Sequence, residues 1–487
     1  MAKVKTDKLP AFTDYEVPVG WILELNFFDM TGEKAGTRGT SSKMYHMELQ
    51  IAKDGRCQLF TQYGPTGKIQ ASEYRNFGVD RTAAEAEFNS IKKSKLKKGY
   101  VEIDVAQRVI GSDQAKKHVK VVSFKNDNGI VDSIQKPNLH VETSRIISTL
   151  MGATNKWVIQ TLKCPLGQLT NDQVDKGRQC LVNAKQIVSS SKDTKELLDI
   201  TNQFYGLIPH NLGSGARGQM SHLLLDTIEK IDQKEYDLDT LLDAKAIGAT
   251  LGSDSTYDQY KSLDTEFVFI NHTDPRFLWL DKLIQDTKAS NHKHLGKIVL
   301  LNAWDIQRNN ERDQFLIRAK QIASQCGKQV IPDQMSIVTK RTDVYDKTLF
   351  ENANIIPLFH GTRTQNLTGI LKQGMLIRPS GVVISGNMYG NALYNGKSSK
   401  AINYTDIRSS YWANGNDDKA FLFVSDCALG NQFIAKSSGQ YTLKSIEPYH
   451  SVWAKGGQSG VINDEMMLYR TDQHNIRYLL EFTCLQN

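Results

Sequence analysis

The hydrophobic pattern of this chain changes period twice, which divides what it can fold into. Near the start, Met47, Leu49 and Ile51 alternate with polar residues, Asp54-Gly55 supplies a hairpin turn, and Cys57, Leu59 and Thr61 resume the alternation. A period of two puts successive side chains on opposite faces of a strand. One helix follows, because Ala84, Phe88 and Ile91 recur at helical spacing after Arg81-Thr82, and 101–103 and 119–124 read as further strands. From about Asn138 the period becomes helical. Thr170-x-x-Gln173 is a capping box, and Val174, Leu181 and Val188 fall seven apart with Gly177 and Ala184 between them. Asp193 opens another helix carrying Leu197, Leu198, Thr201 and Phe204, which Pro209 ends, and 223–231 and 238–247 are two more candidates. Gly252-Ser253-Asp254-Ser255 reads as a linker. Beyond it both periods mix: 298–301, 420–424 and 476–482 are strand-like, and Gly and Ser cluster over 380–399 as in a long functional loop.

Three pattern regions suit the length. At 487 residues the chain exceeds the roughly 250–300 at which a single core stops growing. No apolar run approaches the roughly 18 residues of a membrane span, and Met1-Ala-Lys-Val-Lys-Thr-Asp-Lys8 has no signal-like apolar region. Six scattered cysteines with no C-x-x-C pair exclude a zinc ribbon and argue against a disulfide framework, so a soluble intracellular multidomain protein is expected. Up to Lys136 there are 22 Lys/Arg against 17 Asp/Glu, most of the overall +7. The densest run is Lys92-Lys93-Ser94-Lys95-Leu96-Lys97-Lys98, followed by Lys116, Lys117 and Lys120. Such a stretch suits a polyanion, and a solvated helix end or nuclear-import run accounts for it equally well. The common nucleotide-phosphate loops are absent from the sequence.

The informative motif is Leu358-Phe359-His360-Gly361-Thr362-Arg363, then Gly369-Ile370-Leu371, Met388-Tyr389-Gly390-Asn391-Ala392-Leu393-Tyr394 and Ala401-Ile402-Asn403-Tyr404. It resembles the catalytic domain of the poly(ADP-ribose) polymerase family. Asn475-Ile476-Arg477-Tyr478-Leu479-Leu480 resembles that family's closing strand, a register that puts Glu465 where its catalytic glutamate belongs. Lys163-Cys164-Pro165-Leu166-Gly167-Gln168-Leu169 and the stretch from Leu198 to His210 resemble the family's helical regulatory domain. Gln62-Tyr63-Gly64-Pro65-Thr66-Gly67 is similar to the signature of the WGR domain.

The resemblance implies a multidomain α+β protein: a WGR-like nucleic-acid-binding domain over 20–130, a small antiparallel sheet with one helix; an all-α regulatory (autoinhibitory) bundle over 138–252; and an α/β diphtheria-toxin-like ADP-ribosyltransferase domain over 253–487. It implies an enzyme that takes NAD⁺ as substrate, needs no metal, releases nicotinamide, and attaches and extends ADP-ribose on acceptor proteins including itself. DNA strand breaks are the implied stimulus and the nucleus the implied location, or the cytoplasm in a host without one. Catalytic roles fall to Glu465, His360 and Tyr394, and NAD⁺ contacts to His360, Gly361, Thr362, Tyr394, Tyr404 and Arg378. Nucleic-acid contacts fall to Tyr63, Lys95, Lys97, Lys98, Lys117 and Lys120. The chemistry suits these residue types. Cleaving a ribose from nicotinamide passes through an oxocarbenium-like state that a carboxylate stabilises, and two tyrosines can sandwich a flat ring.

The chain departs from the family pattern in four places. Ala401 stands where a carboxamide-binding serine is usual, with Ser398 or Ser399 as candidate substitutes. Leu376 replaces a common arginine, with Arg378 two places on. The acceptor-side loop between Val452 and Glu465 is short. Tyr63 and Pro65 replace the tryptophan and arginine of the WGR signature. Two rivals therefore stay open, a mono-ADP-ribosyltransferase and a non-catalytic scaffold for DNA ends.

Overall fold

The structure is a computed structural model that describes residues 12, 15–18, 20–36, 40–66, 70–103, 139–162, 169–190, 193–211, 221–252, 255–326, 347–377 and 388–485. The chain divides into two compact units, Met1–Asp132 with Lys156–Lys245, and Ser133–Asn155 with Ala246–Asn487.

The first unit holds a six-stranded antiparallel sheet: β1 (Tyr15–Glu16), β2 (Ile22–Asp29), β3 (Ser41–Ala52), β4 (Cys57–Pro65), β5 (Ala71–Asn76) and β6 (Val101–Ile103), in the order β5-β4-β3-β2-β6 with β1 on β3. The turn between β3 and β4 uses Gly55 at φ +82°, a conformation glycine adopts without steric penalty. The period-two pattern puts Leu23, Leu25, Tyr45, Met47, Leu49, Cys57 and Leu59 in one core with Ala84 and Phe88 of helix α1 (Arg81–Lys97). Asp80 caps α1 by accepting from the Ala83 N–H at 3.0 Å. Alternate positions carry a buried polar chain, in which His46 reaches Glu24 (3.2 Å) and Glu48 (2.9 Å), Gln50 donates to Glu48, and Gln58 donates to Gln50.

Among the described residues five helices follow: α2 (Val141–Thr161), α3 (Asn171–Ser189), α4 (Thr194–Leu207), α5 (Ile228–Ile247) and α6 (Thr256–Ser262). The capping box of α3 forms in both directions, and Val174, Leu181 and Val188 are buried. Helix α4 meets the sheet within the first unit, where Asn202 Oδ1 accepts from the Met30 N–H at 2.9 Å and Tyr205 lies 5.1 Å from Phe28. The segments 223–231 and 238–247 are not two helices. The Leu225 N–H donates to Thr201 Oγ1, which holds that stretch off the helical path; Ser221–Leu223 is a 3₁₀ turn and one continuous α5 begins at Ile228. The expected strand at 119–124 lies outside the described residues.

The second unit is built on a nine-stranded sheet: β7 (Thr265–Ile270), β8 (Lys297–Arg308), β9 (Ile355–Gly361), β10 (Leu393–Gly396), β11 (Ala420–Ala428), β12 (Gln432–Ile434), β13 (Ser451–Ala454), β14 (Glu465–Leu468) and β15 (His474–Leu485). The order is β12-β13-β14-β10-β9-β11-β15-β8-β7, antiparallel throughout except β12 with β13. Helices α7 (Pro275–Asp286), α8 (Glu311–Cys326), α9 (Lys347–Asn352), α10 (Thr364–Gln373) and α11 (Ser398–Ile402) accompany it. Every residue of β11 is buried, which is why that strand reads as a nearly continuous apolar run. The first half of α2 belongs to this unit. Its Arg145 grips Glu481 of β15 through both carboxylate oxygens, and Thr154 donates to the Gln365 carbonyl of α10 at 2.9 Å.

Candidate active site

Three neighbouring strands bring the sequence-predicted residues together. Gly396 of β10 pairs with Phe359 of β9 on one side and with Glu465 of β14 on the other. At about 4.8 Å per strand, the Glu465 backbone stands roughly 10 Å from that of Phe359, the residue before His360. His360 Nδ1 lies 3.1 Å from the Tyr394 carbonyl, which can only accept, so Nδ1 carries the proton. Burial lowers the His360 pKa, with the Tyr394 carbonyl acting against it. The ring is thus neutral, and Nε2 keeps a lone pair able to accept a hydroxyl.

The Tyr394 hydroxyl is fixed at both ends, donating to the Gly390 carbonyl (2.8 Å) and accepting from the Tyr389 N–H (2.9 Å). Its ring, not its hydroxyl, is what remains for a ligand. Glu465 is 9% exposed and flanked across the sheet by Ala454 and Gly396. Lys400 Nζ lies 2.9 Å from Glu465 Oε1, and Lys397 Nζ 3.2 Å from Asp464. A side chain at Gly396 would crowd the Lys400 stem at 3.3 Å, so the glycine lets that lysine reach the carboxylate. Lys400 is the residue that motif reading missed. Its signal was present: Lys397 at the cap of α11 and Lys400 within it, three apart, match the consecutive acids Asp464 and Glu465.

Gly361 is a close approach of two backbones. A Cβ there would stand 1.9 Å from the Ala401 carbonyl oxygen, so only glycine fits. That same oxygen accepts the Tyr404 N–H at 3.0 Å, which ties the His360–Gly361 strand end to Tyr404. The Tyr404 ring is 40% exposed, while burial of its hydroxyl end, and secondarily the Glu465 charge, raises its pKa. Thr362 Oγ1 accepts from Asn366 Nδ2 at 2.8 Å and so anchors the start of α10. Arg378 lies outside the described residues.

The expected substitutes for the missing serine hydroxyl do not serve. Ser398 donates to the Ile284 carbonyl (2.7 Å), and Ser399 Oγ accepts from the Ala289 N–H (2.8 Å) and pairs with His292 (2.9 Å). Both are fully buried, and their hydroxyls are already spent on α7 and the segment that follows it.

In the first unit, Tyr63 stacks near-parallel on Tyr45 at 6.1 Å and donates to Glu73 at 2.6 Å. That hydrogen bond raises its pKa. Lys95 Nζ sits 3.8 Å from the Tyr45 ring centre and 5.0 Å from that of Tyr100, and burial lowers its pKa. Lys95 is thus held by aromatic faces, whereas Lys97 and Lys98 are exposed at the end of α1. Lys116, Lys117 and Lys120 lie outside the described residues.

Three family models match in the same order as these elements. Residues 28–107 match the WGR domain, 146–267 the regulatory domain of poly(ADP-ribose) polymerase, and 276–484 its catalytic domain. The chain belongs to the poly(ADP-ribose) polymerase family. It is 25% identical over 495 residues to poly [ADP-ribose] polymerase 1 of Xenopus laevis, covering 91% of this chain and 44% of that protein. It is also 25% identical over 365 residues to poly [ADP-ribose] polymerase 2 of Homo sapiens, covering 67% of this chain and 55% of that one. The Drosophila melanogaster poly [ADP-ribose] polymerase is 24% identical over 60% of this chain and 26% of its own length. The chain thus spans between about a quarter and just over half of these three relatives.

Proposed function

We propose that the chain is an NAD⁺ ADP-ribosyltransferase that attaches ADP-ribose to proteins, itself included, extends it, and releases nicotinamide. The observation that supports this reading is the β9-β10-β14 register, which makes the strands of His360, Tyr394 and Glu465 neighbours in one sheet. The residues fit the substrate. Neutral His360 offers Nε2 to a ribose hydroxyl, Tyr404 offers an open ring face to nicotinamide, and Glu465 supplies a carboxylate for the developing positive charge. Lys400 holds that carboxylate in place. The lost hydroxyl at Ala401 weakens carboxamide binding by about 1 kcal/mol. On this reading the catalytic part has the diphtheria-toxin-like fold, the helical segment over 138–252 restrains access, and the WGR-like part over 20–130 meets DNA breaks in the nucleus. Among the described residues no helix is long and apolar enough to cross a membrane.

Incubation with labelled NAD⁺, with and without nicked DNA, followed by a denaturing gel, tests this. A ladder is expected; a single band favours mono-transfer, the reading that the short 452–465 loop supports; no label leaves the scaffold. Glu465→Gln keeps shape but removes charge, so extension should vanish while weak NAD⁺ cleavage persists. Full-length polymer from that variant would sink the assignment.

A further inference from the structure

Beside Tyr404 stand two aromatic side chains that the catalytic residues do not account for. Tyr411 is 66% exposed and Trp412 59%, alongside Tyr404 at 40%. Trp412 lies near-parallel to Tyr404, ring centres 6.3 Å apart at 18°, and Tyr411 meets Trp412 edge-on at 4.8 Å and 88°. Three contiguous exposed rings carry an unfavourable hydration free energy that isolated surface aromatics do not.

The loop that presents them is tightly held. The Trp412 and Ala413 N–H groups both donate to the Asn403 carbonyl (3.0 and 3.1 Å), and the Tyr411 N–H donates to Asn403 Oδ1 (2.9 Å). His294 Nε2 donates to that same Oδ1 at 2.9 Å, and Arg363 Nη2 donates to the Ala413 carbonyl at 3.0 Å. Asp406 accepts from the Thr364 N–H at 2.7 Å, and a Cβ at Gly415 would stand 2.2 Å from Asp406 backbone atoms. Anchors at the start of α10, at the end of α11 and on the segment before β8 thus fix the backbone that presents the indole, whose ring packs against Tyr404 and Tyr411. A rigid exposed ring pair is preorganised for stacking, because little side-chain entropy remains to be lost on contact.

We infer that Trp412 is a positioning residue for the nicotinamide end of the substrate: it braces the Tyr404 ring and extends the flat wall on which an aromatic carboxamide lies. This rests on the function proposed above and adds to it a determinant of ring binding that lies outside the His360, Tyr394 and Glu465 set. The ring contacts of Trp412 are with Tyr404 and Tyr411, so it governs affinity for the flat ring and leaves the bond-breaking step alone.

The experiment uses the full chain with benzamide as a flat carboxamide probe and NAD⁺ as substrate, comparing the intact protein with Trp412→Ala and Trp412→Phe. Trp412→Ala should raise the benzamide Kd and the NAD⁺ KM by about three- to tenfold, the range of an aromatic pair, with kcat within about twofold. Trp412→Phe keeps a ring and should restore both to within about twofold. Benzamide should also change the indole fluorescence of the intact chain, and that change should be lost in Trp412→Phe. Unaltered Kd and KM in a folded Trp412→Ala protein, or a loss confined to kcat, overturns the inference alone. Failure of benzamide to bind the intact chain overturns the inference and the nicotinamide reading of Tyr404 together.

Discussion

Releasing Arg145 from Glu481 should switch the protein on without DNA. Glu481 is 1% exposed, and its carboxylate receives Arg145 Nη1 at 3.1 Å, Arg145 Nη2, and Asn302 Nδ2 at 2.6 Å. Arg145 also binds Glu142 at 2.7 Å on its own helix, so the guanidinium joins the first half of α2 to β15. Removing one partner of a buried ion pair costs about 3–5 kcal/mol, because the other charge stays buried and unpaired. Here the Arg145 side chain is 37% exposed and Asn302 remains, which lowers the figure to about 2 kcal/mol. That is roughly a thirtyfold shift toward a loosened helix. Arg145→Ala should therefore raise DNA-free automodification from labelled NAD⁺ by between about fivefold and thirtyfold, since the Thr154 contact to α10 still holds part of the helix. Glu481→Gln, which keeps a partner for Asn302 and removes the stranded charge, should give a smaller rise. Hydrogen exchange over 141–155 supplies the independent reading. Faster exchange with an unchanged basal rate would refute gating by this helix; unchanged exchange would refute the strength assigned to the ion pair.

Gly361→Ala places a methyl carbon 1.9 Å from a backbone oxygen, so it should cost more than about 2 kcal/mol of stability and abolish NAD⁺ binding, measured by thermal unfolding with and without NAD⁺. His46 is buried, which lowers its pKa, but Glu24 and Glu48 outweigh that and hold it at about 9 against an ordinary 6.5. Its stabilisation is therefore complete below pH 6.5 and lost as pH rises through about 9, on the order of 2–3 kcal/mol, and His46→Gln should flatten that stretch of the unfolding-versus-pH curve. For DNA, Lys97→Ala with Lys98→Ala should reduce affinity and flatten the log–log salt slope by about 0.9 per phosphate lost, whereas Lys95→Ala should act mainly through lost packing on Tyr45 and Tyr100. An equal salt-slope change from Lys95→Ala would overturn that division.

Local physics made much of this molecule legible in advance. The β3–β4 hairpin follows from alternation around Asp54-Gly55, and the start of α3 follows from Thr170 and Gln173, because both depend on neighbours in sequence. The break before α5 was not legible: it depends on Thr201, a residue more than twenty positions away, capturing the Leu225 N–H. The strand order was hidden for the same reason, since Phe359, Gly396 and Glu465 meet only in the sheet. In the site, motifs pointed to His360, Tyr394 and Glu465, whereas the Lys397 and Lys400 pair gains its meaning from meeting Asp464 and Glu465 in the fold. Ser398 and Ser399 do not replace the serine because their hydroxyls are taken by Ile284, Ala289 and His292, more than a hundred positions away in sequence.

The place of β15 has a consequence for how the protein comes into being. Residues 474–485 lie between β11 and β8 in the finished sheet, although every other strand of that sheet precedes them in the chain. During synthesis the sheet therefore exists as two separate parts, β12-β13-β14-β10-β9-β11 and β8-β7, each with an unpaired inner edge. A nascent chain at that stage exposes backbone donors and acceptors that invite pairing with another copy. Closure depends on the last of these nine strands to be made, so a ribosome-bound chain halted before residue 474 should engage holding chaperones, and one halted well beyond residue 485 should escape them.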